Sequence, residues 1–506
     1  MPASRLHLIF VLTVMWGVGV IWLAPHPPMI DLPQHAGQVA LYKQLVAGES
    51  PWGHLVELNI FNPYMIGYGL ALPLSFVLPI AAALKLLLSA AYLAFVWMSV
   101  ALRRRFKADA RLDWLCVSSF FGFAYEWGFF TFLVAAPIGL CMILMAERYS
   151  ARPGGARALG LIAIGAVLLL SHGLVFLFAC GVGAALVAVR APNWRQRVVT
   201  LWPFVVLGAA GAAFLVVLRL RAAGFPIVPT VPAVNWHFGL RYEVLAYSFS
   251  QVWSVGAALA GVVFLAAPWL MGLRIDWRRG AAWPFFSCVF LILAFVPHFI
   301  VETAYTYQRF ALFLFPAYAC LFSIPTSTSH KSANPWLGRL TVPLLVVTCW
   351  GLLATNSVRT WRFGQESAEF DAVMATLEPG QRAVSLAYDR KSEAAGGRNM
   401  YVHYASWYQA EKQGFVDFNF AWFWGVVARF HPETLSGVHP NIAWKPEQFD
   451  WQKQRGGDYR YFIVRHSGAM PADIFKAAPC QPALLVERGL WKVFERRTCA
   501  GASPMQ

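Results

Sequence analysis

Uncharged apolar runs of membrane-spanning length recur along this chain, Leu8 to Ala24 and Leu340 to Val358 among them, and they restrict its fold more than any other feature. Of the 506 residues, 58% are hydrophobic and only 13% charged, with a mean hydropathy of +0.52. A soluble domain cannot hide that much apolar surface, so the fold class expected is a polytopic α-helical membrane protein. The N-terminal stretch MPASRLHLIFVLTVMWGVGVIWLAP carries one Arg and lacks the small-residue cleavage site of a removable signal. It reads as a retained first span.

The net charge of +16 could suggest nucleic acid, but the excess sits in short connections between apolar runs: Arg103 to Arg111, Arg148 to Arg157, Arg190 to Arg197, Arg274 to Arg279 and Lys331 to Arg339. By the positive-inside rule these face the cytoplasm. The intervening polar breaks then fall outside: Tyr125-Glu126-Trp127, Ser171-His172-Gly173, Arg219 to Glu243 and His298 to Arg309. A cytoplasmic N-terminus and a last span near Leu340 to Val358 put the tail outside, which an odd number of spans, roughly eleven, satisfies. Pro63 to Pro79 is left open as a span, a re-entrant segment or an interfacial one.

Residues 1–358 thus form a membrane domain that includes a first outer loop, 25–62, and residues 359–506 form a C-terminal extracytoplasmic α/β domain. From Glu366 charges of both signs intersperse, and strands are expected at Ala383 to Ala387, Tyr459 to Val464, Ala483 to Glu487 and Leu490 to Phe494, the last two joined at Arg488-Gly489. The aromatic run FVDFNFAWFWGVVARF reads as core or as a surface resting on the membrane, and such platforms also bind sugars. Six cysteines lie in apolar runs as packing residues, whereas Cys480 and Cys499 in the polar tail form either a disulfide or two thiols.

The polar insertion Pro28 to Tyr42, PMIDLPQHAGQVALY, holds the best candidate for chemistry, Asp31. A helix from Gln34 to Leu45 with Pro33 in its first turn would set His35, Gln38 and Tyr42 on one face. Asp31 would then be either the helix cap or a catalytic carboxylate. Elsewhere, Glu126 and His172 lie at outer breaks, Glu126 read as part of an aromatic interface belt and His172 as a helix-turn or packing residue, or each as a substrate contact, since ionisable residues in a membrane are often functional. Arg241 and Glu243 close the second outer loop. His298, Glu302, Tyr305, Tyr307 and Arg309 fall within about three helical turns, where the Arg309 guanidinium could grip a lipid phosphate bidentately, pair with Glu302 or snorkel to headgroups.

This pattern resembles the GT-C superfamily of integral membrane glycosyltransferases: a first outer loop with an early Asp, many short apolar helices and an extracytoplasmic tail. Asp31 matches the first-loop acid that members use as base, His35 follows it in the D-x-P-x-H pattern of bacterial members, and DYRYFIVRH, PC and GLWKVFERR resemble the ends of bacterial tails. Many members carry adjacent acidic residues there, whereas Asp31 stands alone until Glu49 and Glu57, so no cofactor is assigned and a divalent cation is only admitted.

The resemblance implies transfer of a sugar from a polyprenyl-phosphate donor to a glycan, lipid or protein acceptor, at the outer side of the inner (plasma) membrane. Asp31 and His35 would be the catalytic pair, with Tyr42 beside His35 at the acceptor and Arg309 with Arg241 at the donor phosphate. Glu126, His172, Glu243, Glu302 and Tyr307 would complete the binding groups, with membrane lipids as further partners and no nucleic acid. A transporter or flippase, and a polysaccharide polymerase or ligase using diphosphate-linked glycans, remain as alternatives. A transporter would usually show an internal repeat, and none is evident.

Overall fold

A computed structural model describes residues 3–225, 234–236, 238–275, 277, 282–300, 303–324, 335–471 and 474–497. It divides into two compact units, one of residues 1–21 and 87–357 and one of residues 22–86 and 358–506. Among the described residues six helices are long and apolar enough to cross a membrane: Arg5–Trp22, Ile80–Arg105, Phe130–Ala151, Gly173–Arg190, Trp202–Arg221 and Trp336–Thr376. Shorter apolar helices lie at Met65–Val77, Gly155–Leu169, Val255–Leu270 and Trp283–Phe295. Helices suit such sequences because each satisfies its own backbone groups where water cannot.

In the first unit the Phe130–Ala151 helix is central: 83% of its apolar window is buried, against 28% for Trp202–Arg221. Small residues permit the close packing around it. A Cβ on Gly165 would come within 2.6 Å of Leu207, so the Gly155–Leu169 helix approaches Trp202–Arg221 only because that position is bare. Two basic clusters meet at one acid. Glu147, almost fully buried at the end of the central helix, pairs with Arg105 and, at 2.8 Å, with Arg190. The C-terminal ends of Ile80–Arg105, Phe130–Ala151 and Gly173–Arg190 therefore converge. Arg103 closes the same end through two 2.8 Å bonds to Asp113.

The second unit is built around a helix at Leu32–Ala47, wider than the expected Gln34 to Leu45, with Pro33 in its first turn and Gly48 ending it at φ 70°. Glycine suits that left-handed position, which costs other residues energy. The helix is docked by amides: Gln38 donates to the Ala428 carbonyl at 2.9 Å and accepts from its N–H at 3.1 Å, while Gln409 donates to Gly37 O at 3.2 Å. Val56–Leu58 pairs antiparallel with Ala428–Phe430, and Leu41, Trp52, Leu55, Phe415 and Phe430 form a core beneath.

A five-stranded mixed sheet runs in the order Ala483–Arg488, Trp491–Glu495, Tyr461–Arg465, Arg382–Ala387, Phe415–Asp417. Tyr461–Arg465 begins two residues later than expected. Gly489, at φ 55°, turns the hairpin where Arg488-Gly489 was read as the turn. Most of the aromatic run is core: Phe415, Phe418, Trp422 and Phe430 are buried.

Pro79 separates Met65–Val77 from Ile80–Arg105, with Leu78 extended before it at ψ 153°. At 13 residues the former rises about 20 Å, short of the ~30 Å hydrocarbon core. The last long helix runs without a break from Pro335 to Thr376, past the Val358 boundary of the expected span. Cys480 is disulfide-bonded; Cys499 lies outside the described residues.

Candidate active site

Asp31 occupies the N-cap position of the Leu32–Ala47 helix, yet its side chain makes no capping hydrogen bond. Its backbone explains this: φ −94° and ψ −6° are helical, not the extended geometry from which a cap side chain reaches back to the first N–H groups. The carboxylate, 14% exposed, instead has Oδ1 3.6 Å from Nε2 of His403. Nδ1 of His403 lies 3.2 Å from the Gln34 amide nitrogen, and Gln34 accepts from Phe420 N–H at 2.9 Å. Burial drives the His403 pKa down to about 3, so the ring is neutral at pH 7.

One turn into the helix, His35 Nδ1 is 2.7 Å from the Tyr68 hydroxyl, and the ring meets the edge of Phe420. Burial pushes its pKa down to about 3 as well. Tyr42, two turns on, is buried. His35, Gln38 and Tyr42, expected on one face, are all in the interior.

A second cluster forms within the first unit, where the expected outer breaks touch one another. Glu126 is buried and accepts from Gln251 N–H at 2.8 Å. Its neighbour Trp127 lies 4.1 Å, ring to ring, from Tyr305. Phe123 joins Tyr305 to Tyr247, whose hydroxyl donates to Glu243. Arg241 stacks 3.7 Å over buried Tyr307 and donates to the carbonyls of Leu293, Trp236 and Val296. Arg309 lies 3.8 Å over Phe129 and donates to Ala304 O at 2.7 Å and Tyr305 O at 3.2 Å. Phe132, 5.3 Å from His172 and 5.6 Å from Phe310, brings in the remaining break. Glu302 lies outside the described residues.

Carbonyls and rings thus hold both guanidiniums in place. Among the described residues no group of three or more His, Cys, Asp and Glu is placed to hold a metal ion. The donor set beside Asp31, one carboxylate with neutral imidazoles, does not fit a hard divalent cation, and no step is derived through one.

Sequence reasoning missed His403 and Gln34. Gln34 sits inside the D-x-P-x-H stretch between two residues that were singled out. His403 lies more than 300 residues on in an aromatic-rich turn with no motif around it.

No family model and no curated protein matches this chain. Among solved structures it is similar to the arabinofuranosyltransferase AftD from Mycobacteria, at 13% identity and a TM-score of 0.49 over 98% of this chain. A mutant form of that enzyme gives 13% and 0.48, again over 98%. The chain spans only 40% and 42% of those proteins. Similarity at this level carries no argument about fold or activity.

Proposed function

We propose that this chain is an integral membrane glycosyltransferase that moves a sugar from a polyprenyl-phosphate donor to an extracytoplasmic acceptor, with Asp31 as general base. One observation carries the reading: Asp31 stands at the N-cap position of a buried helix, and its carboxylate lies 3.6 Å from Nε2 of a histidine that burial keeps neutral. A carboxylate beside a neutral imidazole is suited to take a proton.

In the proposed step the acceptor O–H loses its proton to Asp31 while the oxygen attacks the anomeric carbon. The bond from that carbon to the phosphate oxygen breaks, and its electron pair leaves on the phosphate. Cationic groups are needed to stabilise the charge that grows there. His35, hydrogen-bonded to Tyr68 and neutral at pH 7, is proposed to orient the acceptor rather than carry charge.

The test uses the purified chain in nanodiscs with labelled polyprenyl-monophosphate pentoses and hexoses and an envelope glycan extract. Release of polyprenyl phosphate with transfer of label is expected. Uptake of label into proteoliposomes with no covalent change would instead establish a transporter. Use of diphosphate donors alone would establish a polymerase or ligase.

A further inference from the structure

The polar atoms around His403 can be assigned from chemistry alone. The Phe420 backbone N–H can only donate, so the Gln34 side-chain atom 2.9 Å from it is the amide oxygen. The Gln34 nitrogen is thereby turned toward Nδ1 of His403 at 3.2 Å, with the Phe418 carbonyl accepting from it at 3.4 Å. An amide NH2 donates and does not accept, so Nδ1 presents its lone pair. A neutral imidazole with Nδ1 bare carries its proton on Nε2, the atom 3.6 Å from Asp31 Oδ1. The buried ring is further held among Phe418 and Trp444.

We infer that His403 is a positioning residue for Asp31: Phe420 N–H fixes the Gln34 amide, Gln34 fixes the His403 tautomer, and the His403 Nε2–H holds one carboxylate oxygen of Asp31. The 3.6 Å separation exceeds a hydrogen bond. Such catalytic contacts often tighten when substrate binds, and this one shortens as the acceptor hydroxyl approaches. No charge moves through His403; it orients the carboxylate. This inference rests on the transferase reading for its kinetic consequence, but the hydrogen-bond chain can be read without activity.

The experiment is nitrogen NMR of the full chain in nanodiscs with ring-labelled histidine, the His403 signal among twelve histidines being assigned by its loss in His403→Phe. At pH 7 the expected signature is the neutral Nε2–H tautomer, its resonance displaced in Asp31→Asn. Gln34→Glu still accepts from Phe420 but now accepts from His403 too, so the ring is expected to switch to the Nδ1–H tautomer or to imidazolium. In the transfer assay Gln34→Glu lowers kcat about ten-fold or more with KM changed less than about three-fold, a part of the 10²–10⁴ that a positioned base supplies. His403→Gln, which retains an N–H donor, recovers part of the rate that His403→Phe loses. A wild-type Nδ1–H tautomer or imidazolium, an unmoved signal in Asp31→Asn, or an unchanged kcat in Gln34→Glu would overturn the inference. The NMR signature without any wild-type transfer would support the pairing and count against the transferase reading.

Discussion

Asp31 and His403 meet in space although more than 300 residues separate them, and each explains an oddity of the other. A carboxylate at a helix start normally accepts from the first N–H groups; Asp31 does not, because its own backbone is helical. An imidazole held neutral by burial is normally inert, but His403 has a fixed N–H facing that carboxylate. Neutral burial has a pH signature. His403 and His35 both have pKa values pushed from 6.5 to about 3 in the folded chain. The unfolded chain binds protons first, so the stability they contribute is whole above about pH 6.5 and is lost as pH falls towards about 3. Each His then removes up to ~1.4 kcal/mol per pH unit in that window. Thermal midpoints recorded from pH 7 to 4 should fall, and His35→Gln should make the slope shallower. Asp31, His35 and Arg309 stand out as candidates in the sequence because motif and context mark them. His403 does not, since nothing local distinguishes a histidine in YVHYASWY from a packing residue.

Helix ends and amide clamps are the parts whose energies are easiest to check. Glu147 gathers Arg105 and Arg190 at the meeting point of three helices. Glu147→Gln leaves two guanidiniums without their acid; because both are about a third exposed or more, the cost should be ~1–3 kcal/mol rather than that of a fully buried pair. Gln38→Leu keeps the volume but leaves the Ala428 N–H and C=O without their clamp, an expected ~1–3 kcal/mol. Thermal unfolding in detergent measures both, and protease should nick Ala428–Phe430 sooner in the Gln38 variant. Helix existence was legible from apolar run length, and the hairpin from Arg488-Gly489. Helix extent was less so: the last helix runs on to Thr376 because nothing in TWRFGQESAEFDAVMAT breaks it, the charge change at Glu366 notwithstanding.

Across the chain, the segment after the first span shares a compact unit with the C-terminal residues, through the pairing of Val56–Leu58 with Ala428–Phe430 among other contacts. Charge pattern could order spans along the chain, but it could not reveal that association, which depends on a two-stranded ladder and on buried amides. The same pattern expects residues 190–197 inside and the tail outside. A membrane-impermeant maleimide should therefore label Lys453→Cys in intact spheroplasts, and Arg195→Cys, also exposed, only after permeabilisation. The opposite result would invert the orientation.

The central claim is that Asp31 is the base of a sugar transfer. It is tested most directly by the transfer rate of Asp31→Asn from a synthetic polyprenyl-phosphate sugar, measured in nanodiscs beside the wild type, with the thermal midpoint of each variant as the check on folding. A loss of about 10²-fold or more in kcat with an unchanged midpoint is expected. A folded Asp31→Asn variant that transfers sugar at near the wild-type rate would contradict it.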